Sequence, residues 1–130
     1  MQFKNKVVVI TGASSGIGRA LAYEFASHGA RIVMGARSEE KLQQIAADLR
    51  SRNTEVTYAP TDVTQEADCR RLIETAVTRF GGVDILICNA GISMRALFDE
   101  VDLNVLRRLM DVNFWGTVYC TKYALPYIQQ

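Results

Sequence analysis

The residues best suited to chemistry stand together at Thr11–Gly18, which reads Thr-Gly-Ala-Ser-Ser-Gly-Ile-Gly. The apolar run Val7-Val8-Val9-Ile10 leads into this stretch, and Leu21, Ala22, Phe25 and Ala26 leave it at helical spacing. A strand, a glycine-rich turn and a helix start in that order aim backbone N–H groups and the positive end of a helix dipole at one spot. The expected guest is an anion, and a dinucleotide pyrophosphate fits best. Gly12, Gly16 and Gly18 share three jobs: a tight turn after the strand, close approach of backbone to ligand, and close packing of helix on strand. Their G-x-x-x-G-x-G spacing departs from G-x-G-x-x-G, because Leu21 stands where that pattern needs its last glycine. No Lys-Ser or Lys-Thr pair follows Gly18, which argues against a P-loop reaching a terminal phosphate.

The elements that must hold this turn can be read from the rest of the chain. A strand over Val7–Thr11 and a helix over about Gly16–His28 end at Gly29, a natural residue just past a helix. The second strand, Arg31-Ile32-Val33-Met34, is apolar without interruption, as suits a parallel strand covered on both faces. Ser38 can cap the next helix, with Glu39 and Glu40 in its first turn and Leu42, Ile45, Ala46 and Leu49 as its buried stripe. A third strand spans Glu55–Ala59 and stops at Pro60. Thr64 can cap a third helix, whose core face is Leu72, Ile73, Ala76, Val77 and Phe80 and which closes at Gly81-Gly82. The fourth strand is Val83–Cys88. Past the loop at Asn89-Ala90-Gly91 the pattern is helical from about Asp102, with Leu103, Leu106, Leu109 and Met110 inward and a bend near Asn113. Four strands alternating with helices give an α/β fold with a parallel sheet and right-handed crossovers.

Composition narrows the class of protein. The 130 residues make one domain, 1–130, short for a complete two-half dinucleotide fold. They end at Gln129-Gln130 inside a helical pattern with no stop signal, which reads as the front portion of a longer protein. Fifteen basic and 14 acidic residues leave a net charge of +1, so neither nucleic acid nor a membrane surface is expected as partner. The polar Met1–Lys6 is no signal peptide, and no apolar run could span a bilayer; a cytoplasmic location is expected. Cys69, Cys88 and Cys120 lack the spacing of a zinc or redox site, so no metal is expected and Cys88 reads as a small core residue. His28 reads as a helix-end residue, not a catalytic one.

Taken together, these motifs resemble the short-chain dehydrogenase/reductase family over essentially the whole chain. The family's T-G-x-x-x-G-x-G turn is Thr11–Gly18, and its N-A-G motif after the fourth strand is Asn89-Ala90-Gly91. Its acidic residue near the adenine matches Asp62, followed by Val63, and its active-site Asn matches Asn113 in Asp-Val-Asn-Phe-Trp-Gly. The resemblance implies a Rossmann-like doubly wound parallel sheet, here with about four strands and flanking helices. It implies cofactor binding by Gly12, Ser14, Ser15, Gly16, Ile17, Gly18, Asp62, Val63, Asn89, Ala90 and Gly91, and a proton-relay role for Asn113. Plain structural readings stand beside these: Asp62 as a turn residue before the third helix, Asn89 and Gly91 as loop residues, Asn113 as a satisfier of a kinked backbone.

The end of the second strand bears on the choice of cofactor. An NAD-selective enzyme places Asp or Glu there for the ribose 2′-hydroxyl, whereas this segment reads Gly35-Ala36-Arg37-Ser38. Arg37 can pair with a 2′-phosphate, so NADP(H) is expected, with Ser14 as an additional donor. A methyltransferase fits less well, because no ribose-binding carboxylate stands there.

The family's catalytic Ser and Tyr-x-x-x-Lys, in which Lys lowers the Tyr pKa, are missing: no Tyr has a Lys four residues on, and Tyr119 and Lys122 are one residue too close. The expectation is therefore an NADP(H)-dependent oxidoreductase acting on a small carbonyl or alcohol, of which this stretch holds the cofactor. The alternative is a non-catalytic NADP(H)-binding or regulatory module. The loop Ile92–Phe98 is expected to border the pocket. Trp115, Val118, Tyr119, Tyr123, Leu125, Tyr127 and Ile128 spread over more than one face of the last helix, and a homo-oligomer through that helix is expected.

Overall fold

The computed structural model describes residues 2–92 and 98–128. Strands β1 (Val7–Thr11), β2 (Arg31–Ala36), β3 (Val56–Pro60) and β4 (Ile85–Ile87) form one parallel sheet in the order β3-β2-β1-β4. Helix α1 (Gly16–Ser27) joins β1 to β2, α2 (Glu39–Ser51) joins β2 to β3, and α3 (Glu66–Phe80) carries the chain across to β4. After β4 come a short 3-10 turn at Phe98–Glu100, α4 (Leu103–Met110), one π-helical turn at Asp111–Trp115, and α5 (Gly116–Ile128).

The doubly wound arrangement follows from alternation along β1 and β2. Val8, Ile10, Ile32 and Met34 point to one face, where Ala22 of α1 and Leu42, Ile45, Ala46 and Leu49 of α2 cover them. Val7, Val9 and Val33 point to the other, against Leu72, Ile73 and Ala76 of α3 and Ala124 of α5. Both faces are dry, so the strands are apolar throughout and not alternately polar.

Several local expectations are corrected. Thr64 does not cap α3: the cap position is Gln65, and the Thr64 hydroxyl donates to Asp62 Oδ1 at 2.7 Å, which draws it into the preceding turn. Pro60 does not stop β3 but is its last paired residue, opposite Ala36; β3 is an edge strand, where a missing N–H is tolerated. β2 runs two residues further than expected, to Ala36. The fourth strand is shorter than Val83–Cys88. Asp84 leaves the ladder to bond Val7, accepting its N–H at 2.8 Å through Oδ2 and donating its own N–H to the Val7 carbonyl at 2.9 Å.

Cys88 is exposed and not a core residue, because β4 has no further strand beside it among the described residues. The inward face expected for α4 is not buried either. Leu103 is 61% and Met110 53% exposed, and Leu106 and Leu109 are only half-buried, since α4 runs on into the π-helical turn and does not pack on the sheet. The bend expected near Asn113 is that π-helical turn. No described helix is long and apolar enough to cross a membrane.

Candidate functional site

The chain moves outward from β1 to β2 and β3, then returns to place β4 on the other side of β1. A crevice opens where such a reversal occurs, at the carboxyl ends of the strands. Here it is a cleft of about 520 Å³ between the glycine turn, the ends of β2 and β3, and the loop after β4.

Thr11 and Asn89 build its floor. The Thr11 hydroxyl, buried at the end of β1, accepts the backbone N–H groups of Asn89 and Ala90, each at 3.0 Å. Asn89 answers by donating its side-chain amide to the Gly12 carbonyl at 3.3 Å. Gly12 has φ +65°, a left-handed conformation that turns the chain at once after the strand. A Cβ on Gly18 would stand 2.2 Å from the Gly12 carbonyl oxygen and 2.6 Å from Asn89 Nδ2, so only glycine lets α1 sit against the floor.

The start of α1 fits an anion. Ser15 occupies its cap position without a side-chain hydrogen bond, and no acidic residue lies in the first turn. The other helix starts are served: α2 and α4 have side-chain caps in Ser38 and Asp102, and α3 has Glu66 and Asp68. The first N–H groups of α1 thus have neither an intrahelical partner nor a cap, and they face the cleft with Ser14, Ser15, Gly16 and Ile17. A dinucleotide's pyrophosphate suits that donor set.

On the β2 side the lining includes Arg37, Ser38 and Lys41, and on the β3 side Asp62 and Val63. Arg37 is exposed and, like Arg108 across the cleft, makes no ion pair among the described residues. The Thr64 hydroxyl, then its backbone N–H, and then the charges of Arg37 and Arg108 hold the Asp62 carboxyl below its ordinary range, against the opposing effect of burial. Asp62 Oδ1 accepts that N–H at 3.0 Å, so Asp62 shapes the turn before α3 while it also lines the cleft.

Ala90 and Gly91 line the cleft on the β4 side. Asn113 stands behind them. Its Oδ1 accepts the Ile92 N–H at 2.8 Å and its Nδ2 donates to the Ile92 carbonyl at 2.7 Å, so its side chain satisfies the loop and not its own kinked helix. Ile92 lines the cleft; residues 93–97 of the loop expected at its border lie outside the described residues, as does the side chain of Phe98.

Sequence reasoning missed the part played by Thr11 and the lining residues Lys41, Thr61, Arg108 and Val112. Thr11 was visible as a polar residue closing an apolar strand, whereas Lys41, Arg108 and Val112 gave no local signal. Other candidates lie elsewhere. His28 is exposed and pairs with Glu24 at 3.1 Å. Tyr119 tilts on Trp115, ring centroids 6.0 Å apart, and Lys122 is exposed. Cys69 and Cys120 share a buried cluster with Val63 and Val112 beneath the cleft, and the Cys120 thiol is pushed up by its hydrogen bond to Cys69 and by burial. Among the described residues no group of three His, Cys, Asp or Glu could hold a metal ion.

Comparison with known proteins agrees with this geometry. The family model described as short chain dehydrogenase matches residues 6–130. The 11-beta-hydroxysteroid dehydrogenase A of Sesamum indicum is 47% identical over 126 residues, which are 95% of this chain and 36% of that protein. The 11-beta-hydroxysteroid dehydrogenase 1A of Arabidopsis thaliana is 44% identical over 129 residues, 96% of this chain and 36% of that one. Among solved structures, L-sorbose reductase from Gluconobacter frateurii, complexed with NADPH and L-sorbose, superposes with a TM-score of 0.94 at 31% identity, covering 98% of this chain and 49% of that one. A short-chain dehydrogenase/reductase from Burkholderia phymatum in complex with NAD gives 0.94 at 34% identity, covering 98% and 46%. The chain spans 36% of the length of these curated relatives.

Proposed function

The chain belongs to the short-chain dehydrogenase family, and from that premise we propose that it is the cofactor-holding part of an oxidoreductase that uses NADP(H) to interconvert a small carbonyl and its alcohol. The observation that carries the cofactor choice is the end of β2, where Arg37 lines the cleft without an ion-pair partner among the described residues and Arg37, not a carboxylate, directly follows Ala36. A carboxylate there would accept a ribose 2′-hydroxyl and repel a 2′-phosphate; an arginine fork does the reverse.

When bound, the cofactor supplies or accepts the hydride at its nicotinamide ring. The residues of this chain orient it. The open start of α1 would take the pyrophosphate, Arg37 the 2′-phosphate, and Asp62 and Val63 the adenine, with Asn89-Ala90-Gly91 holding the loop under the cofactor. Asn113 is assigned to proton handling, as the family resemblance implies, through the loop it fixes.

No Tyr of the 130 residues has a Lys four positions on, so these residues do not themselves provide the family's proton-transfer pair. Alone they are proposed to bind cofactor without turnover. A second reading is a non-catalytic NADP(H)-binding module, since the motifs that line the cleft are those of cofactor binding. Exposed Phe114 and Trp115 of the π-helical turn and Leu125 and Ile128 of α5 support association of copies through this last helix, and a cytoplasmic location is part of the same proposal. The names of the plant relatives make a hydroxysteroid and its ketone the first substrate pair to try.

The test is the affinity for NADPH and NADH measured side by side. NADPH should bind at least about tenfold more tightly, and Arg37→Asp should reverse the order. Equal affinities in the unmodified protein would overturn the reading. Steady NADPH oxidation with a carbonyl panel, followed on the complete protein, would separate the enzyme from the module.

A further inference from the structure

Lys41 stands in the first turn of α2, its N–H donated to the capping Ser38 Oγ at 3.3 Å. The cofactor cleft is joined there by a second hollow of about 550 Å³ that runs between α1 and α2. Ser14, Ser15, Gly16 and Lys41 belong to the walls of both. Arg37 borders only the first. The junction is therefore flanked by one cation on the β2 side and another on the α2 side.

The charge of Lys41 is uncommitted. Asp48, the one carboxylate lining the second hollow, accepts the Tyr23 hydroxyl at 2.6 Å and pairs with Arg52 at 3.2 Å. Glu39 and Glu40, in the first turn of α2, border neither hollow. Among the described residues Lys41 makes no ion pair. Ser15, beside it, has no side-chain bond to the start of α1.

We propose that Lys41 is a second specificity-determining residue, which reaches across the junction of the two hollows to the ribose 2′-phosphate of the cofactor. This rests on the NADP(H) reading of the cleft. A phosphate monoester is close to doubly charged at neutral pH and has three outward oxygens, more than one arginine fork satisfies. An ammonium on a flexible four-carbon stem is a point charge that can approach from the other side. Lys41 would thus leave NADH binding alone, because NADH has only a hydroxyl at that position.

The experiment compares Lys41→Gln and Lys41→Arg in the complete protein, with dissociation constants for NADPH and NADH taken from nicotinamide fluorescence at fixed salt. Lys41→Gln should weaken NADPH about five- to tenfold, a loss in keeping with one partly exposed charge-assisted contact. NADH should change less than about twofold, and Lys41→Arg should keep NADPH within about twofold. If the unmodified protein prefers NADPH and Lys41→Gln keeps the same ratio of affinities, whether both constants stay or both shift alike, the role of Lys41 is overturned. If the unmodified protein binds both cofactors equally, the underlying NADP(H) reading fails instead.

Discussion

Asn113 grips Ile92 with both halves of its amide, one bond to the backbone N–H and one to the carbonyl, at 2.8 and 2.7 Å. The π-helical turn is thereby tied to the loop that continues from Asn89-Ala90-Gly91. Asn113→Ala removes both bonds at an exposed site and should cost about 1–2 kcal/mol in urea unfolding. The more specific readout is hydrogen exchange at the Ile92 amide, which should lose protection. An unchanged exchange rate there would show that the loop holds its place without Asn113.

Thr11→Val keeps the shape of a buried side chain but deletes an acceptor shared by two backbone N–H groups. Half-buried donors left without a partner cost about 1 kcal/mol or more each, so a loss of about 2–3 kcal/mol is expected. Thr11→Ser, which retains the hydroxyl, should recover most of it. Equal unfolding midpoints for the Val and Ser variants would rule out the hydrogen bonds as the cause.

Gly18 and Gly16 should respond very differently to alanine. At Gly18 the added carbon meets the Gly12 carbonyl oxygen at 2.2 Å, and only backbone movement can relieve it; a loss of about 3 kcal/mol or more is expected, with cofactor affinity falling as well. At Gly16 nothing lies within 4 Å, and the cost reduces to that of an alanine at φ +54°, about 1–2 kcal/mol. A Gly18→Ala protein as stable as Gly16→Ala would contradict this packing.

Asp62 makes stability depend on acid. Its carboxyl is held below the ordinary range, chiefly by the Thr64 hydroxyl, so the folded state favours the ionised form. That stabilisation is complete above the unfolded value of about 4 and disappears as pH falls through the lower folded value. The gap between the protein and its Asp62→Asn variant should therefore be widest above about pH 4 and should close below it. Urea midpoints taken across that range test this, and a gap independent of pH would remove the charge from the account.

What could be read from the sequence was what is local. The four strands, the glycine turn and the Ser38 cap depend on neighbours a few residues away, and all appear in the structure. The limits of β4 were not legible, because Val83 and Asp84 prolong a strand-like run while Asp84 in fact bonds Val7. The apolar stripe of α4 announced a helix but not what would cover it, and Leu103 and Met110 remain exposed. The role of Thr11 depends on partners 78 and 79 residues away, and nothing near Thr11 names them. Lys41 and Arg108 enter the cleft for the same kind of reason: α2 and α4 were each legible as helices, but the side they turn toward the glycine turn is a tertiary fact.

The placement of β1 between β2 and β4 has a consequence for the protein as it is made. The first tie from β1 to the β4 segment, Val7 to Asp84, spans 77 residues. At a synthesis rate of about 5–20 residues per second, β1 exists for about 4–15 s before the segment that completes its second side has been polymerised. Through that interval the nascent Val-Val-Val-Ile-Thr strand can zip to β2 but still offers one open flank of amides and carbonyls. Ribosomes that follow one another closely on a message would bring such flanks side by side, so the yield of folded protein should depend on translation density as well as on the stability of the finished sheet.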